Sequence, residues 1–309
     1  MRPKDQKNGE GLRKALTTFD GKVQPLPGVR SAAHLDAFIE QLVESIRRIR
    51  YIDTIKARPI STDCADPQKE CFDPIKAALL QQRAGNEEEA FWLVFLFVHF
   101  GKHARGGWRY IRQIYGRCGE GGLWDWMSTS TDIAGFREWL HEHQEVLKNK
   151  DMPGGFGNHR KYESLDAHSE NGSGAVIESY VEWVNPPRTH EALVAGILAD
   201  MANDAGNAFA RLYESMDMLK RFGRTARFDY LTMLGKLGLA NIAPASPYLI
   251  GATGPLTGAR LLFGISGPPS RLDELTTKLG NHLVVGMQAM EDSLCNWQKS
   301  PAEFKAFRG

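Results

Sequence analysis

The apolar positions of this chain recur at helical spacing and almost nowhere alternate. Leu35, Phe38, Ile39, Leu42, Val43, Ile46 and Ile49 follow one face of a helix. Asp73-Pro74 joins a side-chain cap to a first-turn proline and predicts the start of another helix. Glu87, Glu88 and Glu89 put negative charge at the dipole-positive start of a third, which runs into FWLVFLFVHF. Further helices are predicted from near Thr131 through IAGFREWLHEHQEVLKNK, from Leu193 to Phe222 with interruptions at Gly196 and Gly206, over FDYLTMLGKLG with Gly238 near its end, and over residues 270–297. No alternating run demands a sheet and no repeat of fixed period is present, so the fold class is all-α.

Residues 1–30 mix charge, glycine and proline with little periodicity and read as a loose or peripherally docked arm. The remainder, 31–309, is long enough for one compact unit with two lobes. The glycine-rich polar segment MPGGFGNHRKYESLDAHSENGSG marks a functional loop or the joint between lobes, near 150–175. Composition adds little: 42% hydrophobic and 24% charged residues are ordinary for a globular protein. The longest apolar run, Ala90–Val98, is too short to cross a bilayer, and no signal peptide precedes it, which predicts a cytoplasmic protein. Cys64, Cys71, Cys118 and Cys295 form no metal-ligand pattern and read as reduced thiols. His99 and His103 stand four apart with no visible third ligand, so neither a metal nor an organic cofactor is expected.

The net charge of +1 hides an uneven distribution. No acidic residue occurs from Phe91 to Gly119, whereas Lys102, Arg105, Arg109 and Arg112 recur at steps of three and four. On a helix they would share one face, either merely solvated or, lacking compensating acids, placed to meet phosphates. Trp108 and Tyr110 between them read as core. In the glycine-rich loop His159, Arg160, Lys161 and Tyr162 combine cations with an aromatic surface, which a pocket for an extruded base requires; the plainer alternative is a solvated loop with a buried tyrosine. A third basic group contains Arg224 and Arg227, candidate DNA phosphate contacts, next to Asp229, a carboxylate that either serves an active site or forms a salt bridge with one of those arginines.

The most informative string is YLIGATGPLTGARLLFG, residues 248–264. Glycines at a turn entering a helix let backbone N–H groups approach an anion, and the helix dipole adds favourable potential, so Gly251, Gly254, Thr257 and Gly258 are candidate phosphate contacts. This string resembles the hairpin of the helix-hairpin-helix DNA glycosylases, although its first glycine interval is one residue longer and Gly258 stands where alanine is usual. In that superfamily an Asp follows the hairpin at a similar interval, and Asp273 lies 17 positions after Leu256. The resemblance makes Asp273 the catalytic carboxylate, with Asp229 second; a helix-start Asp is the plainer alternative. Breaking an N-glycosidic bond builds positive charge on the sugar, which a carboxylate stabilises while orienting or deprotonating water. Leu256 occupies the place of the lysine with which strand-cutting relatives form a Schiff base, implying a monofunctional enzyme that leaves an abasic site.

Together with GFGNHRKYESL (155–165) and FGRTARFDYLTMLGKLGL (222–239), the hairpin string also resembles the alpha-glutamyl/putrescinyl thymine pyrophosphorylase family, relatives of those glycosylases. The resemblance implies a two-lobed helix-hairpin-helix glycosylase-like fold. It also implies action on a bulky hypermodified pyrimidine, such as glucosylated hydroxymethylcytosine or a modified thymine, in double-stranded phage DNA as an anti-phage defence. Two alternatives stand beside it: a pyrophosphorylase-like enzyme remodelling a hypermodified thymine, and a non-catalytic DNA-binding module.

Overall fold

The computed structural model describes residues 5–149 and 151–306. In chain order its helices are α1 (Gln6–Lys22), α2 (Ala32–Lys56), α3 (Pro74–Arg83), α4 (Glu87–Phe100), α5 (Arg109–Tyr115), α6 (Trp126–Thr131), α7 (Ile133–Leu147), α8 (Ser173–Val184), α9 (His190–Asp200), α10 (Ala205–Ser215), α11 (Arg224–Leu237), α12 (Gly254–Phe263), α13 (Pro269–Leu283) and α14 (Met287–Trp297). Among the described residues there is no strand, only two isolated bridges, so the fold is all-α as the periodicity predicts. The chain forms two compact units, one from the segment up to Thr54 with that from Pro244 onward, the other from Ile55 to Ala243.

The first unit buries the face predicted for α2. Phe38, Ile39 and Leu42 are fully enclosed, and Leu35, Ile46 and Ile49 lie at the margin of the same core. The expected arm is helical over α1, and Leu12, Leu16 and Phe19 join that core, each such side chain contributing about 1.5–3 kcal/mol of burial. Short-range periodicity missed this because α1 is mostly polar and only one narrow stripe is covered; residues 1–4 lie outside the described residues. The predicted closing helix is two helices, since Val284 adopts a left-handed φ of 54° between α13 and α14. Helices α12 and α14 cross at a distance set by glycine: a Cβ on Gly258 would lie 2.3 Å from the Leu294 carbonyl oxygen, and one on Gly254 would meet Cys295 Sγ at 2.8 Å.

In the second unit α3 starts as predicted, with Asp73 Oδ1 accepting from the Ile75 and Lys76 amides at 3.1 Å and Pro74 in the first turn. The apolar string of α4 is enclosed on every side from Ala90 to Leu96. Around it runs a buried polar chain in which Tyr180 Oη meets Tyr230 Oη at 2.8 Å and His190 Nε2 at 2.7 Å, while His190 Nδ1 meets Glu88 Oε2 at 2.8 Å. Every member has a partner, the condition under which a buried polar network stabilises a fold. The stretch from Leu193 to Phe222 breaks into α9 and α10 at Ala202 and Asn203, both left-handed, and not at Gly196 or Gly206.

Residues 151–175 belong to the second unit, and the chain passes between units near residues 54 and 243. The segment reads locally as a linker, yet it makes close contacts: a Cβ on Gly106 would lie 2.3 Å from the Pro153 carbonyl oxygen, and one on the segment's own Gly157 would lie 2.8 Å from the Lys102 nitrogen.

Two predictions follow from this packing. Glu89 is buried, and its Oε2 accepts from the Trp126 amide at 2.8 Å. Burial lifts its pKa from 4.5 to about 7 against hydrogen bonds from the Trp126 amide and the Tyr115 hydroxyl. Because the folded pKa is the higher one, the protonated form is favoured on folding, and stability declines as pH rises from the unfolded pKa through the folded one. Glu89→Gln should therefore stabilise the protein at pH 8 by up to about 3 kcal/mol and confer little at pH 4, read from Tm at the two pH values; a pH-independent difference would contradict this. Gly258→Ala should cost about 1–3 kcal/mol through overpacking of α12 on α14, and an unchanged Tm would rule that contact out.

Candidate functional site

The turn at 248–253 is built by left-handed residues on either side of Leu249-Ile250. Tyr248 has φ 54° and Gly251 φ 76°, and the Ala252 amide donates to the Leu249 carbonyl at 3.0 Å. Gly251 is exposed with no atom within 4 Å of a Cβ position, so its amide region is open to a close-approaching group. Asp273 sits in the second turn of α13, too far along to cap that helix. Its Oδ1 accepts instead from the Leu249 amide at 2.7 Å, which fastens the carboxylate to the turn. Of the other residues expected to meet phosphate here, Gly254 and Gly258 turn their Cβ positions to α14 and serve its packing. Thr257 is exposed and its hydroxyl donates to the Thr253 carbonyl at 2.9 Å. Leu256 is buried.

In the second unit the basic stretch is not one helical face. Residues 101–108 are a turn bridged between His103 and Gly107, and α5 begins only at Arg109. Lys102 and Arg105 are exposed in that turn. Arg109 is buried and donates to the carbonyls of Met152 at 2.6 Å and Leu147 at 2.8 Å and to Gln113 Oε1 at 2.8 Å, so its charge is spent on closing the end of α7 and is not available to a phosphate. Arg112 donates to the Lys69 carbonyl at 3.4 Å. The glycine-rich loop docks onto this turn: the Gly157 amide donates to the Phe100 carbonyl at 2.7 Å. Two segments singled out separately in the sequence thus form one surface, and only the close approach of Gly106 and Gly157 reveals it.

From that loop Arg160 reaches inward. Its Nε donates to the Val98 carbonyl at 2.9 Å, and its Nη2 lies 3.9 Å from Asp229 Oδ2. Arg160 is thus an ion-pair partner of Asp229. Arg227 binds Asp217 and the Tyr213 carbonyl instead and is thereby withdrawn from the expected phosphate role, while Arg224 lies over the Phe228 ring at 4.8 Å. Desolvation raises the Asp229 pKa, opposed by Arg160, His159, Arg224 and Lys236. Its side chain nevertheless remains 43% exposed, so a molecule in solvent reaches this carboxylate. A carboxylate reachable from solvent beside Arg160, Arg224 and Lys236 sits in positive potential suited to meeting an anionic group.

His99, buried with Nε2 2.9 Å from Ser173 Oγ, is held neutral: burial and Arg160 lower its pKa to about 3. His103 Nδ1 accepts from the Gly106 amide at 2.9 Å. Among the described residues no group of three His, Cys, Asp or Glu side chains is placed to hold a metal ion. No described helix is long and apolar enough to cross a membrane. Tyr162, expected in a base pocket or the core, is 81% exposed. The sequence reading missed the ion pair that fixes its loop, Arg221 Nε to Glu163 Oε2 at 3.2 Å, because partners this far apart in the chain leave no local signature.

No curated protein and no solved structure matches the chain. Residues 33–309 match the alpha-glutamyl/putrescinyl thymine pyrophosphorylase clade 3 family, and the chain belongs to that family, which is linked to the processing of hypermodified thymine and whose name denotes enzymes acting on modified thymine.

Proposed function

We propose that this chain is a monofunctional DNA glycosylase that hydrolyses the N-glycosidic bond of a bulky hypermodified pyrimidine, leaves an abasic site and so serves in defence against phages carrying such DNA. One observation carries this reading: Asp273 Oδ1 is hydrogen-bonded to the Leu249 amide, so a carboxylate is held at the foot of an exposed glycine turn that leads into α12. The turn supplies backbone N–H groups and a helix dipole for a phosphate, and the carboxylate supplies negative charge for the sugar. A base in the stack is out of reach, so the nucleotide is extruded first. As the C1′–N bond breaks, the base leaves with the electron pair and Asp273 stabilises the cationic sugar. Water then bonds to C1′ and its proton passes to the carboxylate. Lys102, Arg105 and Lys161, exposed on the second unit, offer that unit its own positive surface for phosphate. The cations around Asp229 favour a second reading, in which the enzyme remodels a pyrophosphorylated base and Asp229 is the proton acceptor.

Asp273→Asn tests the first reading cleanly, because the amide oxygen still accepts from Leu249 and the turn is preserved. Base release should fall by at least about 100-fold with DNA affinity and Tm retained. Asp273→Ala should lose activity equally and also about 1–3 kcal/mol of stability, from the Leu249 amide left unpaired. An Asp273→Asn enzyme with the wild-type rate, alongside an inactive Asp229→Asn, would move the chemistry to the second reading.

A further inference from the structure

Cys64 and Cys71 bracket a loop of the second unit, between the short turn Thr62–Ala65 and α3, that is folded back on itself. The Cys64 amide donates to the Ser61 carbonyl at 3.0 Å, and the Lys69 amide to the Asp66 carbonyl at 3.0 Å. Asp66 Oδ1 accepts from the Gln68 amide at 2.8 Å, and the Phe72 amide donates to the Lys69 carbonyl at 3.2 Å. The Asp73 amide then donates to the Cys64 carbonyl at 3.0 Å, so the chain returns to Cys64 two residues after Cys71. That closure brings the Cys71 thiol into hydrogen-bonding contact with the Cys64 thiol. The outer side of the loop is held as well: Pro67 lies against Gly116, where a Cβ would meet its ring at 2.8 Å, and Arg112 donates to the Lys69 carbonyl at 3.4 Å.

The two thiols differ in what can reach them. Cys71 is exposed and Cys64 is buried. Burial raises the Cys64 pKa against the nearby Lys76 ammonium, which keeps that thiol protonated and unreactive toward solutes it cannot meet. Two cysteines can be bridged without backbone movement only where their Cα atoms already stand within about 7 Å, and thiols in contact while reduced satisfy that condition. An exposed thiol with a second thiol directly behind it is the arrangement that converts a mixed disulfide into an internal one.

We propose that Cys71 and Cys64 form a redox modification site, in which Cys71 is attacked by no base but itself opens a low-molecular-weight disulfide such as oxidised glutathione, and Cys64 resolves the adduct. Cys71 gives its proton to solvent and its sulfur bonds to one sulfur of the glutathione disulfide; the S–S bond of the reagent breaks and one glutathione leaves, taking up a proton. Cys64 then gives up its proton and bonds to the Cys71 sulfur as the second glutathione departs and is protonated. The two cysteines are oxidised by two electrons, and one disulfide is reduced to two thiols. Every contact in this site lies within the second unit, and the proposal stands whichever chemistry the chain performs on a base.

The test incubates the reduced full chain with glutathione disulfide, digests it without reductant and maps its cysteines by mass spectrometry. Wild type should yield a Cys64–Cys71 cross-link that dithiothreitol reverses, with little glutathione retained at either position. Cys64→Ala should accumulate glutathione on Cys71. Cys71→Ser, a change at an exposed position that should leave Tm at the wild-type value, should form no cross-link and should modify Cys64 at least about tenfold more slowly than wild type. This second variant decides the matter even where the change at buried Cys64 impairs folding. Two results overturn the proposal: glutathione that stays on Cys71 of the wild type without passing to a cross-link, or Cys71 bridged to Cys118 or to a second molecule in place of Cys64.

Discussion

Glycines let stretches of backbone in this molecule meet more closely than any side chain would permit, and the candidate functional segments hang from three of those contacts. Gly258 admits the Leu294 carbonyl and sets α12 against α14 in the unit that carries Asp273. Gly106 and Gly157 admit the Pro153 carbonyl and the Lys102 nitrogen, pinning the glycine-rich loop to the basic turn. A methyl group at any of them forces backbone to move, because carbonyls and amides, unlike flexible side chains, cannot step aside. The glycines expected to touch ligand thus mostly touch protein. Gly251, with a left-handed φ and open space, is the exception.

The two carboxylates differ in what holds them. Asp273 is fixed by a neutral backbone donor and belongs to a turn, so its position follows from local geometry and survives replacement by an amide. Asp229 is fixed by charge: burial works against its ionised form, and Arg160, Arg224 and Lys236 work for it. The first arrangement suits a group that must present steady negative charge to a developing sugar cation. The second suits a group that exchanges a proton next to a phosphate.

Helices whose buried face is broad were legible from sequence. The stripe of α2, the cap of α3 and the acidic start of α4 follow from nearest-neighbour physics and stand as expected. Breaks between helices were not, because Ala202 and Val284 take left-handed conformations that their residue types disfavour, and Asn203, whose type tolerates that region, follows one of them. The cationic stripe failed at Arg109 for a related reason: periodicity assigns a residue to a face but does not say whether the face is solvent or, as here, three backbone acceptors awaiting a donor. The candidate site was legible as segments. That the basic turn and the glycine-rich loop form one surface, and that Arg160 finds Asp229, depends on contacts across 50 residues or more, which a single sequence does not encode locally.

The central claim, that the chain severs the bond between a modified pyrimidine and its sugar, is tested most directly by mass spectrometry of the small molecules released from DNA containing hypermodified pyrimidines, with ordinary DNA alongside. The account predicts free modified base, alkali-labile abasic sites in the remaining strand, and no release from ordinary DNA. Pyrophosphate in the supernatant, with an altered base still attached to its sugar, would contradict it.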